Sequence, residues 1–172
     1  LILISAPAGS GKSSLLAELI ACRQLAGSAC VWLSLGSSDG DPHHLLSRLL
    51  QALRIQMPGI GSALVSALTR DAKPAPSQVL DGLLAELSEL RRPLLLVLDE
   101  WPAASPELLS AFNRFIQLAP PGLTLVISAD HRPALGLAAL RARGQLLEIG
   151  LEDLCLTQDE LNELLSTDAA LD

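Results

Sequence analysis

The first sixteen residues, LILISAPAGSGKSSLL, constrain the fold more than any other part of this chain. Five largely apolar residues lead into a loop of small residues that ends in Gly11-Lys12-Ser13, and a segment with helical character follows. Small residues let consecutive backbone N–H groups turn inward around phosphate oxygens, and the start of a helix adds a favourable dipole. The stretch therefore predicts a strand, a phosphate-binding loop and a helix in direct succession.

The loop fits the P-loop pattern except at its first position, where Ala6 replaces the usual glycine. We expect ATP or ADP to bind here with Mg²⁺. Lys12 should reach the β- and γ-phosphates of ATP and assist catalysis, and Ser13 should coordinate Mg²⁺. An incidental glycine-rich turn is the alternative, and the flanking strand and helix argue against it. The predicted nucleotide-binding residues of the loop are Ala6, Pro7, Ala8, Gly9, Ser10, Gly11, Lys12, Ser13 and Ser14.

An acidic pair ends the apolar segment PLLLVLDEWP. In open α/β sheets ligands bind at the carboxyl ends of the strands, which is where Asp99 and Glu100 stand. Asp99 is the predicted second ligand of Mg²⁺, and Glu100 is the predicted catalytic base that polarises the attacking water. The alternative is a pair of acids that ends a strand in solvent, and a regulatory ATPase would use Glu100 only weakly.

The end of the fourth predicted strand, VISADHRP, offers polar residues that could sense the γ-phosphate. Ser128, His131 and Arg132 are the candidates, and Arg132 is included among the predicted nucleotide-binding residues. A solvated loop explains each of these residues equally well when it is considered singly.

Other charged and polar residues allow more than one interpretation of their role. Arg141 and Arg143 could form a phosphate-binding finger, or they could complement the end of a helix before Gly144. His43 and His44 follow a helix start without a third metal ligand nearby, so we expect them to be polar residues that face solvent.

Short apolar segments alternate with segments of helical periodicity along the chain. Most of the strand candidates are apolar throughout, as expected for parallel strands covered on both faces. The predicted strands are 1–5, 29–35, 94–99, 123–129 and 145–150. Three helices are predicted to begin near Asp41, at Ser105 and at the capping box Thr157–Glu160, and a further helix carries the leucine stripe 79–90. A surface loop is predicted at 70–77. This alternation predicts the doubly wound, mostly parallel five-stranded α/β sheet of a P-loop NTPase.

Composition limits the function classes. The chain has 172 residues, 49% of them apolar, and a formal net charge of −7, so it lacks the basic footprint of a nucleic-acid-binding domain. No apolar run approaches the length of about twenty residues that spans a membrane. Cys22, Cys30 and Cys155 form no ligand spacing and are predicted to be small buried residues in a reducing cytoplasm. The absence of an initiator Met leads us to expect one core domain, 1–172, of a longer protein.

Four segments together resemble one family. They are APAGSGKSSLL, VWLSLGSSDGDPHHLLSRLLQAL, PLLLVLDEWPAASPELLSAFNRFIQLAPPGLTLVISAD and LAALRARGQLLEIGLEDLCLTQDE. Their order and spacing are similar to those of the ATP-binding domain of MalT-like, large LuxR-family transcriptional activators. These belong to the signal-transduction ATPases with numerous domains, or STAND ATPases, which have an AAA-like core.

The resemblance implies a regulatory switch in the cytoplasm. Such proteins bind ATP and a small-molecule inducer, pass from an ADP-bound to an ATP-bound form, self-associate, and activate transcription through a helix-turn-helix that contacts DNA. The inducer-binding and DNA-binding parts are expected to lie outside this chain, and no membrane contact is expected.

The chain also departs from the family pattern, for example after the WLSL segment, where Gly36-Ser37-Ser38 replaces the usual acids. After Asp99 the family has a second aspartate and Tyr-His, whereas Glu100-Trp101-Pro102 stands here. The family's arginine after the fourth strand falls near Asp130, so γ-phosphate sensing would need Arg132. The alternative function is a small-molecule kinase with a P-loop or another metabolic ATP-dependent enzyme. A third hypothesis is a degenerate P-loop that serves only as a scaffold, but the presence of Lys12, Ser13 and Asp99 argues against it.

Overall fold

A computed structural model describes residues 1–69 and 74–155 of the chain. The strands are β1 (Ile2–Ser5), β2 (Ala29–Ser34), β3 (Leu94–Asp99), β4 (Leu123–Ala129) and β5 (Leu147–Ile149). The helices are α1 (Lys12–Leu25), α2 (Pro42–Gln56), α3 (Ser62–Leu68), α4 (Pro76–Ser88), α5 (Pro106–Gln117), α6 (Ala138–Ala142) and α7 (Leu151–Leu154), and a 3₁₀ turn (Ser37–Gly40) precedes α2.

The strands form one parallel sheet in the order β2-β3-β4-β1-β5. Because every strand runs in the same direction, the segments that follow β1, β3 and β4 all emerge at the same edge of the sheet. β1 pairs with β4, and β4 pairs with β3, so these three ends are neighbours. The predicted fold class is confirmed, and this strand order brings the glycine-rich loop close to the acidic pair.

Helices cover both faces of the sheet. All six residues of β3 are buried, and successive side chains along a strand point to opposite faces. One face packs against the leucine stripes of α2 and α4 and the aromatic stripe of α5, which form the larger core. The other face holds a smaller cluster in which Leu16 of α1 packs with Val97 and Val126. Burial on both faces explains why the strands lack polar alternation.

Helix caps account for several boundaries. Asp41 accepts a hydrogen bond from the backbone N–H of His44 at 2.8 Å, and Ser105 accepts one from that of Leu108 at 3.2 Å. Proline follows both caps at the first helical position, where its missing N–H leaves no bond unmade. The predicted starts of α2 and α5 are thus confirmed.

Three details differ from the sequence predictions or lie beyond them. The predicted loop 70–77 is too long, because α4 already begins at Pro76, again a proline at a first helical position. Helix α3 was not predicted, since its seven residues carry too short a pattern. Residues 70–73 and the capping box Thr157–Glu160 lie outside the described residues.

The prediction of buried thiols holds for one cysteine and is wrong for two. Cys30 on β2 is buried, whereas Cys22 and Cys155 are exposed. Cys22 is exposed because no described element covers the last turn of α1, residues 21–25. Within the described ranges, no helix is long and apolar enough to cross a membrane.

Candidate nucleotide-binding site

The loop between β1 and α1 has the backbone form that its small residues predict. Gly9 and Gly11 have φ angles of +80° and +88°, in the left-handed region that favours glycine, and a Cβ at either position would meet no atom within 4 Å. The requirement for glycine here is therefore conformational rather than steric. Ala6, at the position usually held by glycine, is buried, and its N–H donates to the carbonyl of Ala129 at 3.2 Å. The fold accommodates its methyl group.

Lys12 folds back across this loop. Its side chain is only 7% exposed, and Nζ donates to the carbonyl oxygens of Ala6 at 2.7 Å and Pro7 at 3.0 Å. A third bond of 2.9 Å joins Nζ to Oδ1 of Asp130, whose side chain is 57% exposed. These contacts hold the ammonium group at the loop.

The acidic pair is fixed by a buried serine on the neighbouring strand. Ser128 on β4 donates its hydroxyl hydrogen to Oδ1 of Asp99 and accepts a 3.1 Å bond from the backbone N–H of Glu100. Ser128 is fully buried and its hydroxyl is bonded to Asp99, so it does not belong to a solvated loop. Glu100 has a φ of +60°, a conformation that non-glycine residues rarely adopt and that often marks functional positions.

These elements converge on a groove of about 340 Å³. The loop contributes Lys12, Ser13 and small residues, and Glu100 and Asp130 come from the ends of β3 and β4. The described residues that line the groove are Ala8, Gly9, Gly11, Lys12, Ser13, Ser14, Glu100 and Asp130. The structure thus places the predicted base beside the predicted phosphate loop, and Asp99 lies buried next to it.

The donors at the loop fit a phosphate group. The hydroxyl of Ser10 is buried without a hydrogen-bond partner, an uncommon state for a polar atom. The first backbone N–H groups of α1 have no intrahelical acceptor, and no side chain caps them. Within residues 1–69 and 74–155, no cluster of three His, Cys, Asp or Glu side chains could hold a metal ion. Mg²⁺ bound here would thus rely on phosphate oxygens together with Ser13 and Asp99.

Arg132 lies outside this groove. It donates to Oε1 of Glu148 on β5 at 2.6 Å and lines an adjoining groove of about 430 Å³. His131 lines the same adjoining groove, which shares Glu100 and Asp130 with the loop groove. The predicted place of Arg132 in the nucleotide site therefore requires its side chain to leave Glu148.

The other charged residues have structural contacts. Arg141 makes a bidentate contact with Glu148 at 2.7 and 2.9 Å, and Nε of Arg143 donates to the carbonyl of Ala139 at 3.2 Å, near the end of α6. Arg143 thus follows the helix-end alternative. The ring of His44 contacts Asp39 at 2.9 Å, and that of His43 contacts the carbonyl of Pro74 at 3.2 Å. Both rings therefore have protein partners, which the prediction of residues facing solvent did not include.

Two acidic residues gain roles that sequence reasoning missed. Asp130 was considered only as the place of a missing arginine, yet it is the ionic partner of Lys12. Asp39 is fully buried and contacts both His44 and Arg48. The signal for Asp130 was its position directly after a buried strand, whereas Asp39 in a polar stretch carried no such signal.

The strand order, the loop between β1 and α1 and the acidic pair after β3 define the fold of a P-loop NTPase with an AAA-like core. The crystal structure of Cdc6p from Pyrobaculum aerophilum has the same fold, with a TM-score of 0.58 at 20% identity over 95% of this chain and 41% of that one. At this identity the likeness concerns the fold alone.

The chain is homologous to part of the HTH-type transcriptional regulator MalT. It is 34% identical over 165 residues to the protein of Klebsiella pneumoniae and 32% identical over 164 residues to that of Serratia proteamaculans. Each alignment covers 95% of this chain and 18% of the relative, so the chain spans about a fifth of the length of these curated relatives. No family model matches the chain. The resemblance to MalT-like regulators is confirmed.

Proposed function

We propose that residues 1–172 are the nucleotide-binding core domain of a longer MalT-type transcriptional activator, in which the domain is an ATP-dependent switch. It binds ATP with Mg²⁺, hydrolyses it slowly to ADP, and its nucleotide state controls self-association and transcription activation. The observation that carries the proposal is the groove in which Lys12, Ser13 and Glu100 meet. The names of the homologous regulators support the transcriptional role.

The residues of the groove have different roles in binding and hydrolysis of ATP. The loop N–H groups and Lys12 bind and orient the phosphates, and Ser13 with Asp99 would hold Mg²⁺, which neutralises phosphate charge when bound. Glu100 is the proposed base that accepts a proton from water, and the bond from its N–H to Ser128 fixes its backbone. Slow turnover is expected because Lys12 is the one cationic side chain among the described residues that line the groove.

The remaining partners belong to the parent protein. A small-molecule inducer and the DNA would contact domains outside this chain, and a cytoplasmic location follows for a regulator that must reach DNA. The net charge of −7 supports this division, since an acidic surface repels the phosphate backbone of DNA.

Nucleotide binding by wild type and Lys12→Ala tests the proposal. Loss of the ammonium group should weaken ATP·Mg²⁺ binding by about tenfold or more, the effect of a lost charge-assisted contact. Arg114→Ala is the matched control, because it removes an exposed cation that pairs with Asp81 on a distant helix face. Equal ATP affinity of wild type and Lys12→Ala would exclude the proposed site.

A small-molecule kinase is the second candidate, and the adjoining groove favours it. This groove of about 430 Å³ opens beside Glu100 and could receive a phosphate acceptor. A kinase would consume ATP only with its acceptor, whereas the proposed switch hydrolyses ATP slowly by itself. Turnover of ATP by the purified chain, measured with and without metabolite mixtures, separates the two.

A further inference from the structure

The ammonium group of Lys12 has used all of its donors. Three N–H bonds are available to it, and its three acceptors are the carbonyls of Ala6 and Pro7 and the carboxylate of Asp130. A phosphate oxygen can therefore reach Lys12 only if one of these acceptors gives way. The two carbonyls belong to the loop itself, whereas Asp130 reaches in from the end of β4.

Asp130 is the acceptor that can leave most readily. Its side chain is 57% exposed, so its carboxylate can turn into water and remain solvated, which the backbone carbonyls of the loop cannot do without refolding it. Asp130 also carries a full negative charge at the place where the phosphate charge must enter. The contact between Lys12 and Asp130 and the binding of phosphate are thus mutually exclusive uses of one ammonium group.

The charge of the groove lining also opposes the binding of free phosphate groups. Among the described residues that line it, Lys12 is the only cation, and Glu100 and Asp130 are both acidic. Asp99 is a further buried carboxylate next to Glu100. A triphosphate without a divalent cation would therefore enter a region of net negative charge, which would repel it.

We propose that Asp130 is a specificity-determining residue of this site. It competes with nucleotide phosphate for Lys12 and, with Glu100, selects the Mg²⁺ complex of a nucleotide against the uncomplexed nucleotide. This inference rests on the proposed nucleotide site, and it assigns a role to a residue that the P-loop pattern does not include. Binding is strongest when Mg²⁺ cancels phosphate charge and Asp130 turns outward.

A different role for Asp130, as a ligand of Mg²⁺, makes the opposite prediction. If its carboxylate held the metal ion, its neutralisation would weaken binding of ATP·Mg²⁺. If it competes for Lys12, its neutralisation strengthens binding with or without Mg²⁺. The sign of the change in affinity therefore distinguishes the two roles.

The test is the dissociation constant of ATP, measured by calorimetry in excess Mg²⁺ and in EDTA for wild type and Asp130→Asn. We expect Asp130→Asn to bind ATP about fivefold more tightly in EDTA and about threefold more tightly in Mg²⁺, the range for a partly exposed charge pair. The gain should shrink at high salt, because the groove is open to solvent. Unchanged affinity in both conditions, or weaker binding in Mg²⁺, would overturn the proposal.

Asp81→Asn is the matched control, since it makes the same chemical change in an exposed ion pair with Arg114, away from the groove. It should leave both constants within about twofold of wild type. Asp130→Ser removes the same charge with a smaller side chain and replaces Asp130→Asn if that variant unfolds.

The test also separates failure of the inference from failure of the proposed function. If wild type binds ATP and Lys12→Ala does not, an unchanged Asp130→Asn rejects only the role of Asp130. If neither wild type nor Asp130→Asn binds ATP, the proposed function and the inference both fail.

Discussion

Ser128 on β4 donates its hydroxyl hydrogen to the carboxylate of Asp99 on β3, and both side chains are buried. The same hydroxyl accepts the backbone N–H of Glu100, and the carbonyl of Ser128 accepts that of Trp101 at 2.8 Å. One residue of β4 thus orients the whole acidic segment that follows β3.

Replacement of Ser128 by alanine should affect both stability and the site. The change leaves the buried carboxylate of Asp99 without its serine donor, so we expect the free energy of unfolding to fall by about 1 to 3 kcal/mol. Mg²⁺-dependent ATP binding should weaken, because Asp99 and Glu100 lose their common anchor. Urea unfolding and calorimetry measure the two effects. Ser66→Ala on exposed α3 is the control, and equal behaviour of the two variants would contradict the anchoring role.

Trp101 should report nucleotide binding. Its ring is buried against Phe112 with centroids 4.8 Å apart, and the residue lines the adjoining groove, which shares Glu100 with the nucleotide groove. ATP·Mg²⁺ should therefore change its fluorescence, and Lys12→Ala should abolish the change. The second tryptophan, Trp32, lies on the edge strand β2. Trp32→Phe should retain the signal and Trp101→Phe should lose it; the reverse result would place the nucleotide elsewhere.

Gly11→Ala tests the backbone of the loop against a matched glycine. Gly11 and Gly27 have φ angles of +88° and +81°, and a Cβ at either one meets no atom within 4 Å. Each alanine variant should therefore lose about 1 to 2 kcal/mol of stability through backbone strain alone. Only Gly11→Ala should also weaken ATP binding, since Gly27 lies after α1 and away from the loop. Thermal unfolding and ATP titration together check this, and equal ATP affinity of the two variants would argue against the loop.

Asp39 should be a stability residue. Its buried carboxylate accepts a 2.8 Å bond from the N–H of Gly36, lies 2.9 Å from the ring of His44, and pairs with Arg48, which also donates to the carbonyl of Ser34. Asp39→Asn leaves this charge network incomplete and should lower the free energy of unfolding by about 2 to 4 kcal/mol.

The neighbouring Asp41→Asn is its control in the same urea titration. Asp41 caps α2, and asparagine caps a helix about as well as aspartate does. Asp41→Asn should therefore stay close to wild type. A comparable loss of unfolding free energy in both variants would mean that any negative charge in this turn stabilises the protein. It would contradict a specific role for the buried network of Asp39.

Thiol labelling should distinguish the cysteines. Burial raises the pKa of the Cys30 thiol, and the charge of Arg23 opposes this only in part. Since the thiolate is the reactive form, Cys30 should react slowly in the native protein at neutral pH, and the exposed Cys22 and Cys155 quickly. Mass spectrometry after timed labelling checks this order, and fast labelling of Cys30 would contradict its burial.

The sequence alone determined the five strands, the starts of two helices, the phosphate loop and the acidic pair. Apolar runs, caps and prolines predicted all five strands and the starts of α2 and α5, because these signals act within a few residues of chain. The glycine-rich loop and the acidic pair were recognisable for the same reason, since each is contiguous in the chain.

Tertiary structure decided the contacts that join distant segments. Pairing of β1 with β4 brings Asp130 to Lys12 across 118 positions, and pairing of β3 with β4 brings Ser128 to the acidic pair. Pairing of β1 with β5 places Glu148 where Arg132 contacts it. No local pattern encodes these meetings, because strand order depends on the packing of the whole core. The phosphate loop and the acidic pair were predicted from the sequence, whereas the place of Asp130 and the charge balance around Lys12 were decided only when the sheet assembled.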